Sequence, residues 1–447
     1  MLNKIRKLSE NTKIVIKNTA GAFVVKGFSL VLSLFTMPAY FRFFGDNNTL
    51  GMWFSLLSVM NWILNFDLGI GNGLRNKLSA SISKGEAEET KRLISSSYIA
   101  ISLICGVIII AFAGCFWFVD WNVVFSIDRS QIGPQVLETA VLIVFAGIIL
   151  QMVIKLVTSV LYAMQKSSVN NFLHLSTTII TVVSLMLLPS GTNEENIIRM
   201  AIIHSVAMLL PQMIASVFVY NGEQLKGCWP SIKHFSAKHA KDVLSLGIAF
   251  LFVQTMYLVV VGTNEYLITQ FSGNAAVVDY QIYYKPFGLG STLVSLALTP
   301  IWSVVTKAFA ERNLQWIKRL YNTMMKFAVL GILAQFAIIV VLQFVVDFWL
   351  SENTIAVNYW YAMSFAVLGS LMILNSVFSS IANGLGKLKV QAACFTIGAA
   401  IKVPLAWVLV QLMESWVGVV FAAVISMGVY CVVQPIYINK YLTIEEV

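Results

Sequence analysis

Apolar residues run along this chain in long unbroken blocks, not in the strict alternation of a strand or the narrow stripe of a surface helix. A helix crosses about 30 Å of hydrocarbon with roughly 20 residues. Twelve blocks reach that length, at 21–43, 50–74, 93–119, 136–164, 172–189, 197–220, 243–271, 276–303, 326–350, 358–382, 391–412 and 416–438. Helices satisfy their own backbone in lipid, and no alternating segments offer a barrel instead. The pattern predicts an all-α polytopic membrane protein with about twelve transmembrane helices.

Composition agrees. Of 447 residues, 58% are hydrophobic and 11% charged, which would leave a water-soluble globule without a surface. The formal charge of +9 does not point to nucleic acid, because its placement follows the spans. Threading the spans alternately puts 23 Lys and Arg on one side and only Arg42, Arg129 and Arg199 on the other. The cation-rich side is the cytoplasmic one, so both termini are expected there. The first twenty residues lack a small-residue cleavage site, and no removable signal is expected. Trp117, Trp121, Tyr359, Trp360, Tyr361 and Trp416 fall near outer ends, as an interfacial belt would. Five cysteines, four of them inside apolar runs, give neither a disulfide framework nor a CxxC metal spacing. The longest outer loop, about 120–135, is too short to house a catalytic domain, and no P-loop, HExxH or nucleophile elbow occurs. An enzyme is not expected.

A weak repeat appears at an offset of about 227 residues. Phe44-Gly45-Asp46 corresponds to Phe271-Ser272-Gly273-Asn274, and Lys91-Arg92-Leu93 to Lys318-Arg319-Leu320. Six spans separate the copies, so the halves share one orientation about an axis along the membrane normal. The expected organisation is a six-helix bundle over 1–220, a cytoplasmic linker at 221–242 and a second six-helix bundle over 243–447. The linker sets Trp229, Ile232 and Phe235 among lysines, which fits a helix on the inner membrane surface and, equally, a solvated connection. Two bundles with a cleft between them are the architecture of a transporter.

Ionisable residues inside the spans carry the chemistry, since each costs roughly 2.5–3.5 kcal/mol at the helix centre unless it meets a partner or water. They are Lys26, Lys155, Lys285 and Lys402, with Asp67, Glu265 and Asp347 in or near the membrane. Helical spacing puts Lys26 with Ser29, Ser33, Thr36 and Tyr40, and Lys155 with Gln151, Ser159 and Tyr162. Lys285 falls with Gln281, Gly288, Thr292, Ser295 and Thr299, and Asn61 and Asn65 share a stripe with Asn72. Such polar faces avoid lipid and would line the cleft; close helix packing and snorkelling are the competing explanation. Asp67 lies off the asparagine stripe, so either it points elsewhere or Gly69, Gly71 and Gly73 break the helix. Depth along the spans would pair Lys26 with Asp67 and Glu265 with Lys285, leaving Lys155 and Lys402 as excess positive charge. That excess favours an anionic substrate, with phosphate well suited to lysine.

The segments FDLGIGNGLRNKL (Phe66 to Leu78), WPSIKHFSAKHAKDVLSLGIAFLFVQ (Trp229 to Gln254) and TNEYLITQFSG (Thr263 to Gly273) resemble bacterial Wzx-type lipid-linked oligosaccharide flippases of the O-antigen and capsule pathways. These belong with the MATE exporters to the MOP superfamily. The resemblance implies a MATE-like fold in the bacterial inner membrane and no cofactor, with coupling to H+ or Na+ left open. It implies alternating-access transfer of an undecaprenyl-diphosphate-linked repeat unit to the outer leaflet, with membrane lipids and other polysaccharide-assembly membrane proteins as partners. Lys26, Lys155, Lys285 and Lys402 would then attract the diphosphate. Asp67 and Glu265 would hold lysines or bind a coupling cation, and Asn61, Asn65, Gln151 and Gln281 would line the cavity. Where an Asp is expected in the seventh span, this chain has Asn264 followed by Glu265. A MATE-like small-molecule exporter and, further off, an oligosaccharide polymerase are the alternatives.

Overall fold

The computed structural model describes residues 25, 27–29, 31–64, 69–164, 166–298, 301, 305, 308–309, 312–350 and 355–444. Every regular element among them is helical. In chain order these are α1 (Thr36–Phe44), α2 (Asn47–Leu64), α3 (Ile70–Lys84), α4 (Ala87–Phe116), the single turn α5 (Trp121–Val124), α6 (Pro134–Ile154), α7 (Leu156–Ala163), α8 (Ser167–Leu187) and α9 (Asn193–Asn221). After two 3-10 turns come α10 (Ala237–Val261), α11 (Asn264–Ser272), α12 (Asn274–Leu298), α13 (Leu314–Leu350), α14 (Tyr359–Gly384), α15 (Leu388–Met413) and α16 (Val417–Ile444).

Ten helical stretches among the described residues are long and apolar enough to cross a membrane. Two more helices, α2 and α12, stand where the sequence places its second and eighth spans, but both are more polar: α2 carries Asn47, Asn48 and Asn61, α12 Asp279, Gln281 and Lys285. Large apolar side chains such as Ile110, Val340 and Phe348 are exposed, as contact with lipid requires. Trp117, Tyr359 and Trp360 are exposed as a belt would be, whereas Trp416 is buried against Tyr280, Tyr283, Tyr361 and Phe365. Trp416 is therefore a core residue. Its companions Tyr280 and Tyr283 are also buried.

Three expected spans are interrupted. Within the second, Gly69 takes φ +68 immediately ahead of α3, whereas Gly71 and Gly73 lie inside that helix. The fourth carries one turn residue, Lys155, between α6 and α7, where the backbone stays in the right-handed helical region and Lys155 N still donates to Gln151 O at 2.8 Å. The seventh stops at Val261 and restarts at Asn264.

Contacts sort the chain into two compact units. One comprises 1–45, 63–124 and 128–251. Its interior packs α6 on α9, where Gly147 admits Ser205, and stacks Phe112 on Phe145 with ring centroids 3.6 Å apart. The other comprises 46–62, 125–127 and 252–447, so most of α2 belongs to it. Its core gathers Phe378, Phe395 and Tyr430 from α14, α15 and α16, with the last two rings stacked at 4.6 Å.

The repeat seen in the sequence has a conformational basis. Gly45 and Gly273, at φ +67 and +85, turn one helix into the next within two residues, a backbone region where a side chain is strained. After the first turn Asp46 Oδ2 accepts from Thr49 N at 2.8 Å; after the second, Asn274 Oδ1 accepts from Thr269 Oγ1 at 3.0 Å. In the loop after α4, the Arg129 guanidinium donates to Asp120 and holds that carboxyl below its usual range. A depressed folded pKa means the contact is complete above the ordinary carboxylate range and is lost as pH falls through the lowered value. Protease nicking of 117–133 should stay constant near neutrality and rise only in acid; a rise beginning near neutrality would contradict this.

Candidate functional site

The break at Gly262-Thr263 frees backbone carbonyls in the middle of an apolar helix, and such groups need donors. Side chains of α2 supply them: Ser58 Oγ donates to Gly262 O at 2.9 Å and Trp62 Nε1 donates to the same oxygen at 3.1 Å. The same hydroxyl lies 3.3 Å from Glu265 Oε2, in the first turn of α11. Glu265 Oε1 accepts from Gln281 Nε2 of α12 at 3.0 Å. One turn further along, Ser55 meets Thr269 hydroxyl to hydroxyl. Two expected cavity residues, Glu265 and Gln281, are thus brought together, but the carboxylate is held by neutral donors and not by Lys285. Gln281 and Lys285 share one face of α12, four residues apart, and the shorter amide sits where it reaches the carboxylate. A carboxylate with only neutral donors can take up a proton or a small cation without first displacing an ammonium.

Beside it, Asn264 organises a second cluster. Lys402 of α15 is fully buried, and its Nζ donates to Asn264 Oδ1 at 2.9 Å and to Val419 O of α16 at 2.6 Å. Asn264 Nδ2 donates onward to the Tyr280 hydroxyl at 3.2 Å, and that ring stacks on Tyr284. Among the described residues no carboxylate lies within ion-pair distance of Lys402. The expectation that this ammonium faces an open cleft is corrected: it is closed off by an amide and a backbone carbonyl, because α11 restarts beside α15 and presents Asn264 to it.

The remaining residues divide as follows. Lys155 is exposed at the joint between α6 and α7, one turn after buried Gln151, whose Nε2 contacts Met208 Sδ at 3.5 Å. Lys285 is half-buried on α12. On its stripe, Ser295 bonds Ser376 of α14 at 2.6 Å, so that end of the polar face serves packing. Asn61 lies on α2, half-buried, next to Trp62. Lys26, Asn65 and Asp67 lie outside the described residues. Ser58, Trp62 and the Gly262 carbonyl were not expected; Gly262-Thr263 within an apolar run is the signal that marks the break. The sequence-selected Lys155 and Glu265 both sit at or beside helix interruptions, the construction from which transporters make sites at membrane depth.

No protein-family model matches this sequence, and none of the curated proteins is similar to it. Solved structures are similar in fold over nearly the whole chain. An inward-facing multidrug resistance MATE family transporter of the MOP superfamily superposes with a TM-score of 0.74 at 15% identity, covering 95% of this chain and 99% of that one. An outward-facing multidrug resistance MATE family transporter gives 0.67 at 16%, covering 98% and 97%. A MATE in a straight conformation gives 0.66 at 14%, covering 97% and 96%. The chain has a MATE-like fold.

Proposed function

We propose that this chain is a flippase that moves a polyprenyl-diphosphate-linked oligosaccharide from the cytoplasmic to the outer leaflet by alternating access. The observation that carries the reading is Lys402: an ammonium closed inside an apolar bundle by two neutral oxygens, with no carboxylate among the described residues at ion-pair distance to cancel its charge. A buried charge of this kind costs several kcal/mol and persists where function uses it. On this reading the cations that attract the diphosphate are Lys26, Lys155, Lys285 and Lys402, the buried Lys402 through its charge and not by direct contact. Compact ammonium groups on flexible stems hold phosphate and release it. Glu265, held by Ser58 and Gln281, takes up the coupling H+ or Na+.

Lys155→Gln and Lys285→Gln should each lower surface polysaccharide at least tenfold in a complementation assay with protein levels unchanged, about 1.4 kcal/mol of lost substrate interaction. Lys→Arg at the same positions should retain part of the activity. Full complementation by a variant lacking Lys26, Lys155, Lys285 and Lys402 would overturn the reading. Glu265 favours one other reading, a cation-coupled exporter of small organic cations, since a half-buried carboxylate with no lysine at ion-pair distance among the described residues suits such a substrate. Under that reading a deletion strain becomes drug-sensitive and keeps its surface glycan.

A further inference from the structure

Residues 222–236 leave α9 not as an α-helix but as a strap with two 3-10 turns, held, together with the first turn of α10, against the first turns of α4. Ser231 N donates to Ser95 Oγ at 3.1 Å and Ser236 N to Ser96 Oγ at 2.9 Å. His239 closes the strap, with Nε2 2.9 Å from Glu89 and Nδ1 2.7 Å from Ser236 Oγ. At the other end Trp229 Nε1 donates to Asn221 Oδ1 at 3.0 Å and its ring packs on Tyr220. The buried serines 95 and 96, otherwise odd in a long apolar helix, are the receptors for the strap's backbone.

The strap's other side is apolar and basic. Leu225 and Cys228 are buried, whereas Trp229, Ile232 and Phe235, spaced by three, are 44%, 85% and 42% exposed. Lys226, Lys233 and Lys238 alternate with them, and Lys241 follows, against a single acid in the strap, Glu223. Depth fixes what this surface meets. The 30 residues of α4 span about 45 Å, roughly 15 Å more than the hydrocarbon. The charges at Glu88, Glu89, Lys91 and Arg92 put that surplus in the first ten residues. Ser95 and Ser96, where the strap crosses, therefore lie at the polar–apolar boundary.

We propose that residues 226–238 bind the headgroups of anionic phospholipids in the cytoplasmic leaflet. Trp229, Ile232 and Phe235 enter the interface, while Lys226, Lys233 and Lys238 meet phosphate. The geometry commits to lipid because the apolar side chains and the cations alternate along one short segment pinned at interface depth.

The test places an environment-sensitive fluorophore at Ile232→Cys, in the full chain carrying Cys115→Ser to remove the exposed native thiol. The labelled protein is reconstituted in nanodiscs of phosphatidylcholine with and without phosphatidylglycerol. Emission should shift to the blue when phosphatidylglycerol is present and revert at high salt. Neutralising Lys226, Lys233 and Lys238 to Gln should raise the phosphatidylglycerol fraction needed, since each lysine is worth roughly fivefold in anionic-lipid affinity. The corresponding Arg variant should restore the wild-type response, which separates charge from folding. Emission that stays water-like in both discs, or is equally blue in both, would overturn the proposal.

Discussion

Gly51→Ala should destabilise the protein by about 3 kcal/mol or more, at the upper end of the range for inserted core volume. An alanine Cβ at this position would lie 1.8 Å from the Asn274 carbonyl oxygen and 2.5 Å from its carbonyl carbon. The obstacle is backbone, so no side chain can swing away. Asn274 is itself fixed: its side chain accepts from Thr269 and donates to the Phe125 and Ser126 carbonyls at 2.9 and 3.0 Å. The expected sign opposes local propensity, since alanine in a helix is otherwise favoured over glycine by roughly 0.5–1 kcal/mol. Gly428→Ala, on α16 with nothing within 4 Å of the added carbon, is the control and should be neutral or stabilising. Thermal melts of the detergent-solubilised proteins decide it: equal melting of the two variants would show that α2 and α12 do not approach this closely.

The second large effect concerns Asn264 and Lys402 together. Asn264→Leu removes one of the two acceptors of a fully buried ammonium and should cost about 1.5–3 kcal/mol, the value of a hydrogen bond to a charged group. Lys402→Met removes the charge with its burial cost and should be milder. The double variant should be more stable than Asn264→Leu alone, because no ammonium is then left unsolvated; a coupling of about 0.5–3 kcal/mol is the usual scale for contacting residues. Asn264→Asp should raise the melting temperature by pairing the ammonium and should slow transport by cancelling the charge proposed to attract substrate. Additive single and double variants would mean that Lys402 has another acceptor in the membrane.

Span positions were legible in the sequence because the hydrocarbon imposes a length, and the apolar blocks obey it at Ala87–Phe116, Tyr359–Gly384 and Leu388–Met413. The repeat was legible at Gly45 and Gly273, where a left-handed turn needs a particular residue. The interruptions at Lys155 and Gly262 were not, since a single turn of irregular backbone barely changes an averaged hydropathy. Partner identity was the weakest inference. Depth arithmetic brings Glu265 level with a whole helix turn containing both Gln281 and Lys285, and cannot choose between them. The acceptor on Val419 is a backbone carbonyl, which leaves no trace in the residue type. Trp416 was misplaced for a similar reason: proximity to a span end says nothing of whether the ring turns outward or into Tyr280 and Phe365.

The grip of Asn274 on the Phe125 and Ser126 carbonyls bears on how this chain can be tagged. Although the loop after α4 reads as spacer, its tip is a fastening, and an epitope inserted at 125–127 would pull two carbonyls off the Asn274 amide. Phe118, 88% exposed in the same loop and outside that contact, is the place for a reporter.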